Sequence, residues 1–396
     1  MSEIEAGRGA VAPVKTREGG EGLLAALALA GGAGVLAAFF GAPAVRFWAN
    51  VLLWFCFYAT VGLGALFLAA LEHLVGARWS VPLRRVAERA GSLVLLAVLL
   101  GLPLLFSLSV LYPWTRPEAR HQPFVSGKLD GWLNVPFFTA RALATFALWG
   151  LAFAVLAGLS LRQDRTADPR LTLRLRRFAP AFMALYAVTV TLLAFDWLGG
   201  LEPAWYSDIF GVYVFAGSFL AGLSATALGT VRLLSRGRLP GVERDHLYNL
   251  GGFLFAFLVF WSYIGFAQYL LMWYANLPEE VFYYADRAQG GWPWVMAALA
   301  LLHFVLPFFA LLPRDRKGDP TLLRRAAALV LVAHLLDLYG LIFPSLSKTV
   351  VFSWPEAAFA LAFGSLLCLW MRRAQSLGAD MPVGDPFLRE GLEFRL

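Results

Sequence analysis

Four side chains that could carry protons fall inside two consecutive apolar segments of the sequence. His303 and His334 each stand ten residues from the loop that joins these segments, so in an antiparallel helix pair their imidazoles come to similar depth. Asp337 follows His334 by three residues, on the same helix face, and we expect its carboxylate to hold the imidazole. Tyr339 comes next along the segment. Because titratable groups are costly in hydrocarbon, such a string is typical of a proton path.

Two other interpretations of the histidines stay open from the sequence. His303 and His334 could hydrogen-bond each other or a carbonyl and so join two helices. They could also ligate the iron of a b-type haem from opposite sides, although the sequence offers no second histidine pair at depth. Glu72 and His73, at the end of an earlier apolar segment, are either solvated groups at a helix end or a proton entrance.

A second candidate site combines a cation and an anion from neighbouring apolar segments. Arg141 lies about seven residues inside one segment, and Asp196 lies near the end of the next, at comparable height. Because burying either charge alone is costly, we expect the two to form an ion pair. Such a pair either only joins two helices or also lines a ligand pocket.

The segment at residues 195–215, FDWLGGLEPAWYSDIFGVYVF, contains no basic residue but sets carboxylates beside aromatic rings. Such a surface suits an amphiphilic ring ligand such as a quinol, which needs an apolar slot, acceptors for two hydroxyls and a proton exit. An aromatic belt at the membrane interface explains the same residues without a ligand. The residues that we expect to face a quinone are Arg141, Asp196, Trp197, Tyr206, Asp208, Gln268 and Trp273.

Ten apolar segments position these groups, and each is long enough to cross a hydrocarbon core of roughly 30 Å as a helix. They lie at residues 23–40, 48–71, 92–112, 136–161, 179–197, 209–231, 250–274, 293–312, 324–343 and 355–371. An even number places both termini on one side of the membrane. That side holds 26 lysine and arginine residues and the other side holds 6, a bias that predicts cytoplasmic termini.

The composition is that of an integral membrane protein, with 59% hydrophobic and 15% charged residues. The net charge of +7 comes from short loops, where topology explains it, so we expect the lipid bilayer and no nucleic acid as a partner. Cys56 and Cys368 stand alone, which offers neither a zinc nor an iron–sulfur site. We expect one all-α transmembrane domain at residues 23–373, between cytoplasmic tails at 1–22 and 374–396.

Several segments resemble one known family, the quinone-binding subunit 2 (ActF-type) of bacterial alternative complex III, which is related to the NrfD and polysulfide-reductase membrane anchors. The resembling segments are GARWSVPLRRVAE at 76–88, WLNVPFFTAR at 132–141, FDWLGGLEPAWYSDIFGVYVFAGSF at 195–219, FWSYIGFAQYLLMWYANLPEE at 260–280 and HLLDLY at 334–339. They follow the order of the family and cover most of the chain from the second to the ninth apolar segment.

The resemblance implies an NrfD-like fold of ten helices in a bacterial inner membrane, with spans 2 to 5 and 6 to 9 as two four-helix bundles and helices 1 and 10 at their flanks. It implies a subunit of a quinol:cytochrome c or quinol:oxidase oxidoreductase, without haem or iron–sulfur cluster in this chain. The implied partners are a sister NrfD-like quinol-binding subunit, a periplasmic iron–sulfur subunit, c-type haem subunits and a terminal oxidase.

By position, the resemblance implies that His334, Asp337 and Tyr339 belong to a proton path. It also implies that Asp196 and Trp197 belong to a segment beside menaquinone or ubiquinone. Two other functions stay open from the sequence. One is a structural scaffold that holds the sister subunit and its partners together. The other is a proton-coupled transporter, although the sequence shows no pair of interrupted spans of the kind that transporters use.

Overall fold

The computed structural model describes residues 20–122, 124–376 and 378–396. The predicted tail at residues 1–22 lies outside the described residues except for its last three. Within the described ranges the regular structure is entirely helical, and ten helices there are long and apolar enough to cross a membrane. The prediction of an all-α, multi-pass membrane protein with ten spans is therefore confirmed.

The ten long helices are named α1 to α10 in chain order. Their bounds are Glu21–Gly41 (α1), Ala44–Val75 (α2), Val81–Leu104 (α3), Val135–Thr166 (α4), Pro169–Leu201 (α5), Phe210–Leu234 (α6), Arg244–Ala275 (α7), Trp292–Leu311 (α8), Pro320–Ser345 (α9) and Trp354–Ala374 (α10). Shorter helical segments are Leu108–Leu111, Pro113–Thr115, Pro117–His121, Ser126–Leu129, Pro278–Arg287, Arg314–Gly318 and Leu388–Leu392.

Local sequence signals set where several long helices begin. Asn134, Asp168 and Asp319 precede α4, α5 and α9, and each side chain accepts a backbone N–H of the first turn. Each of these helices also has proline at one of its first two positions, where the missing N–H costs no helical hydrogen bond. At α10, Ser353 and Glu356 form a reciprocal capping box.

The third span differs most from its prediction. It covers Val81–Leu104 instead of residues 92–112, because charged residues at its start lower the hydropathy there. The structure nevertheless buries these charged side chains, which are Arg84, Arg85, Glu88 and Arg89. Carboxylates from distant parts of the chain pair with them, which offsets part of the cost of burial.

Helices α2 and α6 lie at the centre of the molecule and touch through their backbones. A Cβ atom added to Gly64 on α2 would lie 1.9 Å from the Ser218 carbonyl oxygen, and one added to Gly222 on α6 would lie 2.2 Å from the Gly64 carbonyl carbon. Only glycine allows this approach, as in other close helix crossings in membranes. Around this crossing, α2 packs on α3 and α5, and α6 packs on α7 and α9.

Helices α1 and α10 flank this centre and pack chiefly on each other. Gly31 of α1 lies against the backbone of Ala362 in α10, where an added Cβ would come within 2.3 Å of the Ala362 nitrogen. Most of the remaining surface of both helices is exposed. Of the most apolar stretch of each helix, 11% is buried in α1 and 22% in α10. The first and last spans therefore form a pair of helices at the periphery.

The connecting segments gather at the two ends of the helices. We call one end the basic face; it contains residues 76–80, 167–168, 235–243, 312–319 and 378–396, and ion pairs there join Arg78 to Glu390 and Arg238 to Asp380. We call the other end the hairpin face; it contains residues 105–122, 124–134, 202–209, 276–291 and 346–353. Residues 378–396 pack across the ends of α3, α6 and α7, where Asp380 pairs with both Arg89 and Arg238. The described part of the predicted C-terminal tail therefore packs against the ends of these helices.

Candidate functional site

A cavity of 560 Å³ opens between α6, α7, α8 and α9 toward the hairpin face, and we call it the Asp337 cavity. Its walls are mainly apolar and aromatic, and the short helix Pro278–Arg287 closes part of its outer side. A few polar side chains reach into it. They are Tyr213, Gln268, Tyr284, Arg287 and Asp337. Apolar walls with a few convergent polar groups are typical of sites for small ring-shaped ligands.

Asp337 and Tyr213 form the polar end of this cavity. The Tyr213 hydroxyl donates to Asp337 Oδ1 at 2.5 Å, and both side chains are buried. The prediction that Asp337 holds the His334 imidazole is wrong, because the carboxylate bonds to α6 and the imidazole bonds to α2. Tyr213 carried no signal of its own in the sequence, since tyrosines are common in apolar spans.

The two histidines lie next to each other behind the Asp337 cavity. Their ring centroids are 6.2 Å apart, which agrees with the predicted equal depth. His334 Nε2 shares a 2.8 Å hydrogen bond with Thr60 Oγ1, whereas neither ring nitrogen of His303 has a hydrogen-bond partner among the described residues. In the described part of the chain, the histidines therefore bond neither each other nor a carbonyl, although His334 does join α9 to α2 through Thr60. The ring of Trp261 packs 4.0 Å from the His303 ring, so these contacts give no support to haem ligation.

A local change of helix geometry presents His303 at this place. Residues Ala300–Val305 of α8 form a π-helical turn, and His303 lies in its middle. A second π-helical turn, Leu193–Leu198 of α5, contains Asp196. π-turns are rare and frequent at functional sites, and each shifts the side chains that follow around the helix axis. No feature of the sequence predicted either turn.

Hydroxyl groups connect the His334 region to the crossing of α2 and α6. The Ser218 hydroxyl donates to the Thr60 carbonyl at 2.7 Å, and Tyr186 donates to Ser218 at 3.0 Å. His334, Thr60, Ser218 and Tyr186 thereby link α9, α2, α6 and α5. Isolated hydroxyls in apolar spans look like packing residues, so no pattern in the sequence predicted this chain of contacts.

The predicted ion pair of Arg141 and Asp196 is confirmed. Arg141 donates to both carboxylate oxygens at 2.9 Å, and Trp132 Nε1 donates to the same carboxylate at 2.9 Å. The guanidinium also lies over the Trp132 ring at 4.0 Å. A nearby cavity of 280 Å³ is lined by Trp132 and Tyr206 but by neither member of the pair. The geometry therefore favours a pair that joins α4 and α5 over one that binds a ligand.

The other candidates for a quinone site disperse over the hairpin face. Trp197 is buried among rings of the first helices, 4.7 Å from Phe55. Tyr206 and Asp208 line a second cavity of 230 Å³, which Gln268 also lines, and Trp273 is 60% exposed on the outside of α7. Of the seven candidates, Gln268 alone lines the Asp337 cavity, where its Nε2 donates to the Tyr284 hydroxyl at 3.1 Å.

Arg287 and Tyr283, which no pattern in the sequence marked as site residues, form part of the outer wall of the Asp337 cavity. Arg287 is buried, lies over the Tyr283 ring at 3.4 Å and donates to the Tyr283 carbonyl at 2.9 Å. On its other face, the Tyr283 ring stacks on the Trp205 ring, with the two ring centroids 3.9 Å apart. Burial raises the pKa of the nearby Glu202 carboxyl, and Ser345 and Arg287 oppose this rise. Burial also raises the pKa of Tyr283.

Tyr339, Glu72 and His73 lie apart from the histidine pair. The Tyr339 hydroxyl donates to the Val351 carbonyl at 2.7 Å, and this side chain does not line the Asp337 cavity. Glu72 and His73 are buried near the basic face, so the interpretation as solvated groups is wrong. The Glu72 carboxylate lies 3.7 Å from the Arg84 guanidinium. Glu72 is also about 18 Å from Thr60 along the axis of α2. Their role as a proton entrance stays a prediction.

Comparisons with known proteins add little to this geometry. The chain matches no protein-family model. It is similar to a protein of Nitratidesulfovibrio vulgaris (strain Hildenborough), with 25% identity over 164 residues. The match covers 41% of this chain and 42% of that protein, whose name states no activity. This similarity therefore assigns neither a family nor a function.

Proposed function

We propose that this chain is a membrane subunit of a bacterial respiratory complex that oxidises quinol, and that the Asp337 cavity holds the quinol ring. The observation that carries the proposal is an apolar cavity of 560 Å³ with the hydrogen-bonded pair of Tyr213 and Asp337 at one end. A bound quinol supplies two electrons and two protons on oxidation. The cavity fits such a ring because its walls are apolar and its few polar groups can meet two ring oxygens.

The residues of this chain would bind the ring and receive a proton. The Asp337 carboxylate is the acceptor within the cavity, and the Tyr213 hydroxyl fixes its orientation. Gln268 and Arg287 line the same cavity and can donate hydrogen bonds to a second oxygen. His303 and His334 lie in the next layer, with their ring centroids 6.2 Å apart, and are the proposed sites for onward proton movement.

The proposed family is that of the NrfD-like subunits of alternative complex III. The five resembling segments support it, and the helix contacts are compatible with α2 to α5 and α6 to α9 as two four-helix bundles. The proposed partners are a sister NrfD-like subunit, an iron–sulfur subunit, c-type haem subunits and a terminal oxidase, which take the electrons. The charge bias supports an inner-membrane location with the basic face in the cytoplasm.

Replacement of Asp337 by Asn in the purified complex tests the proposal. Loss of a positioned proton acceptor is expected to lower kcat for quinol oxidation about 100-fold or more. Asp130→Asn is the matched control, because Asp130 is an exposed carboxylate on the hairpin face outside this cavity. Unchanged quinol oxidation and unchanged proton release in an assembled Asp337→Asn complex would contradict the proposal.

A structural scaffold is the second candidate function. The contacts that favour it are the buried pair of Arg141 and Asp196 and the stack of Trp205 on Tyr283, which join segments at the hairpin face. If this alternative holds, Asp337→Asn changes only the stability of the complex. A proton-coupled transporter is the third candidate function. The two π-helical turns in α5 and α8 support it, because transporters bind their substrates at interrupted spans. It predicts uptake of a solute by vesicles that contain this chain alone.

A further inference from the structure

A groove of 690 Å³ opens on the basic face, on the opposite side of the molecule from the hairpin face, and we call it the arginine groove. It lies between the ends of α6, α7 and α9 and the short helical segment Arg314–Gly318. Three arginines line it together with apolar side chains. They are Arg244, Arg316 and Arg325, with Leu234, Leu247 and Leu322.

The acidic side chains in this groove already have partners. Glu243 Oε1 accepts from Arg395 at 2.7 Å, and the Asp319 carboxylate accepts the Leu322 backbone N–H at 2.6 Å. Asp315 lies 3.6 Å from Arg244. Glu243 and Asp315 are thus paired with arginines, whereas Asp319 caps α9 and keeps its negative charge.

Arg316 and Arg325 are left as the cations of the groove. Both are exposed, and the side chain of neither has an ion-pair or hydrogen-bond partner among the described residues. Arginine is suited to this position because its planar guanidinium donates two parallel hydrogen bonds to a phosphate. The groove therefore offers two unpaired guanidinium groups above an apolar floor.

The position of the groove indicates which phosphate compound it would bind. It lies where spanning helices end, and Phe309 and Leu312 of the adjoining end of α8 are exposed, as are side chains that face lipid. A phosphate group at this level can meet the arginines while acyl chains lie along the apolar helix surface. Basic pockets between spanning helices at a membrane surface are known to take anionic lipid head groups.

We propose that the arginine groove binds the phosphodiester head group of an anionic phospholipid, with Arg316 and Arg325 as the residues that contact it. Free inorganic phosphate shares the anionic oxygens but lacks the acyl chains. The site is distinct from the Asp337 cavity, and its occupancy does not depend on quinol oxidation.

Native mass spectrometry of the full chain in detergent tests this site. The probes are phosphatidylglycerol, phosphatidylcholine with the same acyl chains, and inorganic phosphate as a competitor. The expected result is a preference for phosphatidylglycerol that inorganic phosphate displaces only weakly. In the double variant R316Q/R325Q, the affinity for phosphatidylglycerol is expected to fall about 30-fold, whereas phosphatidylcholine binding stays unchanged.

The matched control is R170Q/R174Q. Arg170 and Arg174 are also exposed arginines near the start of a spanning helix, and α5 begins with the same Asp-Pro pair as α9. This control removes the same charge from the same face and should keep the lipid preference. A further variant, R316K/R325K, keeps the charge and is expected to keep most of the preference, which separates loss of charge from loss of fold.

Three results would overturn the proposal. The first is equal phosphatidylglycerol binding by R316Q/R325Q and the unchanged chain. The second is equal loss in the R170Q/R174Q control, which would indicate a diffuse surface charge. The third is displacement of the lipid by inorganic phosphate at equal concentration, which would indicate a site for a free anion.

Discussion

Tyr213 on α6 and Asp337 on α9 are joined by a hydrogen bond of 2.5 Å between the phenol hydroxyl and the carboxylate. Both side chains are buried and both line the same cavity. The bond fixes the distance between two helices at the polar end of that cavity. A buried carboxylate that loses its donor is costly, which makes this pair a sensitive point of the fold as well as of the proposed chemistry.

Tyr213→Phe removes the donor and keeps the ring. We expect a loss of about 1–3 kcal/mol in stability, because the Asp337 carboxylate is left without its partner. Thermal unfolding in detergent measures the change. Tyr263→Phe is the control, since Tyr263 is 64% exposed on α7 and does not line this cavity. A Tyr213→Phe protein as stable as the control would contradict the importance of the pair.

Arg141→Ala breaks a buried ion pair. Removal of one partner leaves the Asp196 charge buried, and we expect a loss of about 3–5 kcal/mol. Arg120→Ala is the control, because Arg120 and Asp130 form an exposed pair at 3.7 Å, worth about 1 kcal/mol at most. Equal effects of the two changes on the unfolding temperature would show that burial does not decide the strength of these pairs.

Gly64→Ala tests the crossing of α2 and α6. An added Cβ meets the Ser218 carbonyl oxygen at 1.9 Å, so the helices have to separate, at a cost of about 1–3 kcal/mol or more. Gly252→Ala on α7 is the matched control, because nothing lies within 4 Å of its added Cβ and alanine favours a helix. Folding yield and unfolding temperature should fall for the first change only. A stable Gly64→Ala protein would argue against the backbone contact.

Glu202 should make stability depend on pH. Burial raises the pKa of this carboxyl above its ordinary value of 4.5 in the folded protein. The folded state therefore holds a proton that the unfolded state has lost, and the stabilising contribution is complete below the unfolded pKa and falls as pH rises toward the folded pKa. Glu202→Gln should remove this part of the dependence. Unfolding curves of both proteins from pH 4 to pH 8 measure the difference, and parallel curves would contradict the prediction.

Much of the fold could be predicted from hydropathy and charge. The number of spans follows from runs of apolar residues, and the pair of Arg141 and Asp196 follows from depth along antiparallel helices. Both arguments need only the number of residues along a helix, and the sequence gives that number directly. The start of α3 escaped them because Arg84 finds its carboxylate in Asp385, about 300 positions away in the chain.

The candidate site was harder to predict because it depends on rotation about helix axes. Asp337 and His334 share one face of α9, but neighbouring helices decide which partner each side chain meets. Tyr213 and Thr60 come from two different helices that only packing brings to this place. The π-helical turn at His303 adds a local rotation that has no signature in the amino-acid pattern.

Photolabelling with a quinone analogue that carries a photoreactive group on its ring tests the central proposal most directly. The complex is labelled, digested and mapped by mass spectrometry, with unlabelled quinone as competitor. We predict competed labels on residues that line the Asp337 cavity, in α7, Pro278–Arg287 or α9, and loss of these labels in Asp337→Asn but not in Asp130→Asn. Competed labels confined to the 195–209 segment, or to a partner subunit, would contradict a quinol site beside Asp337.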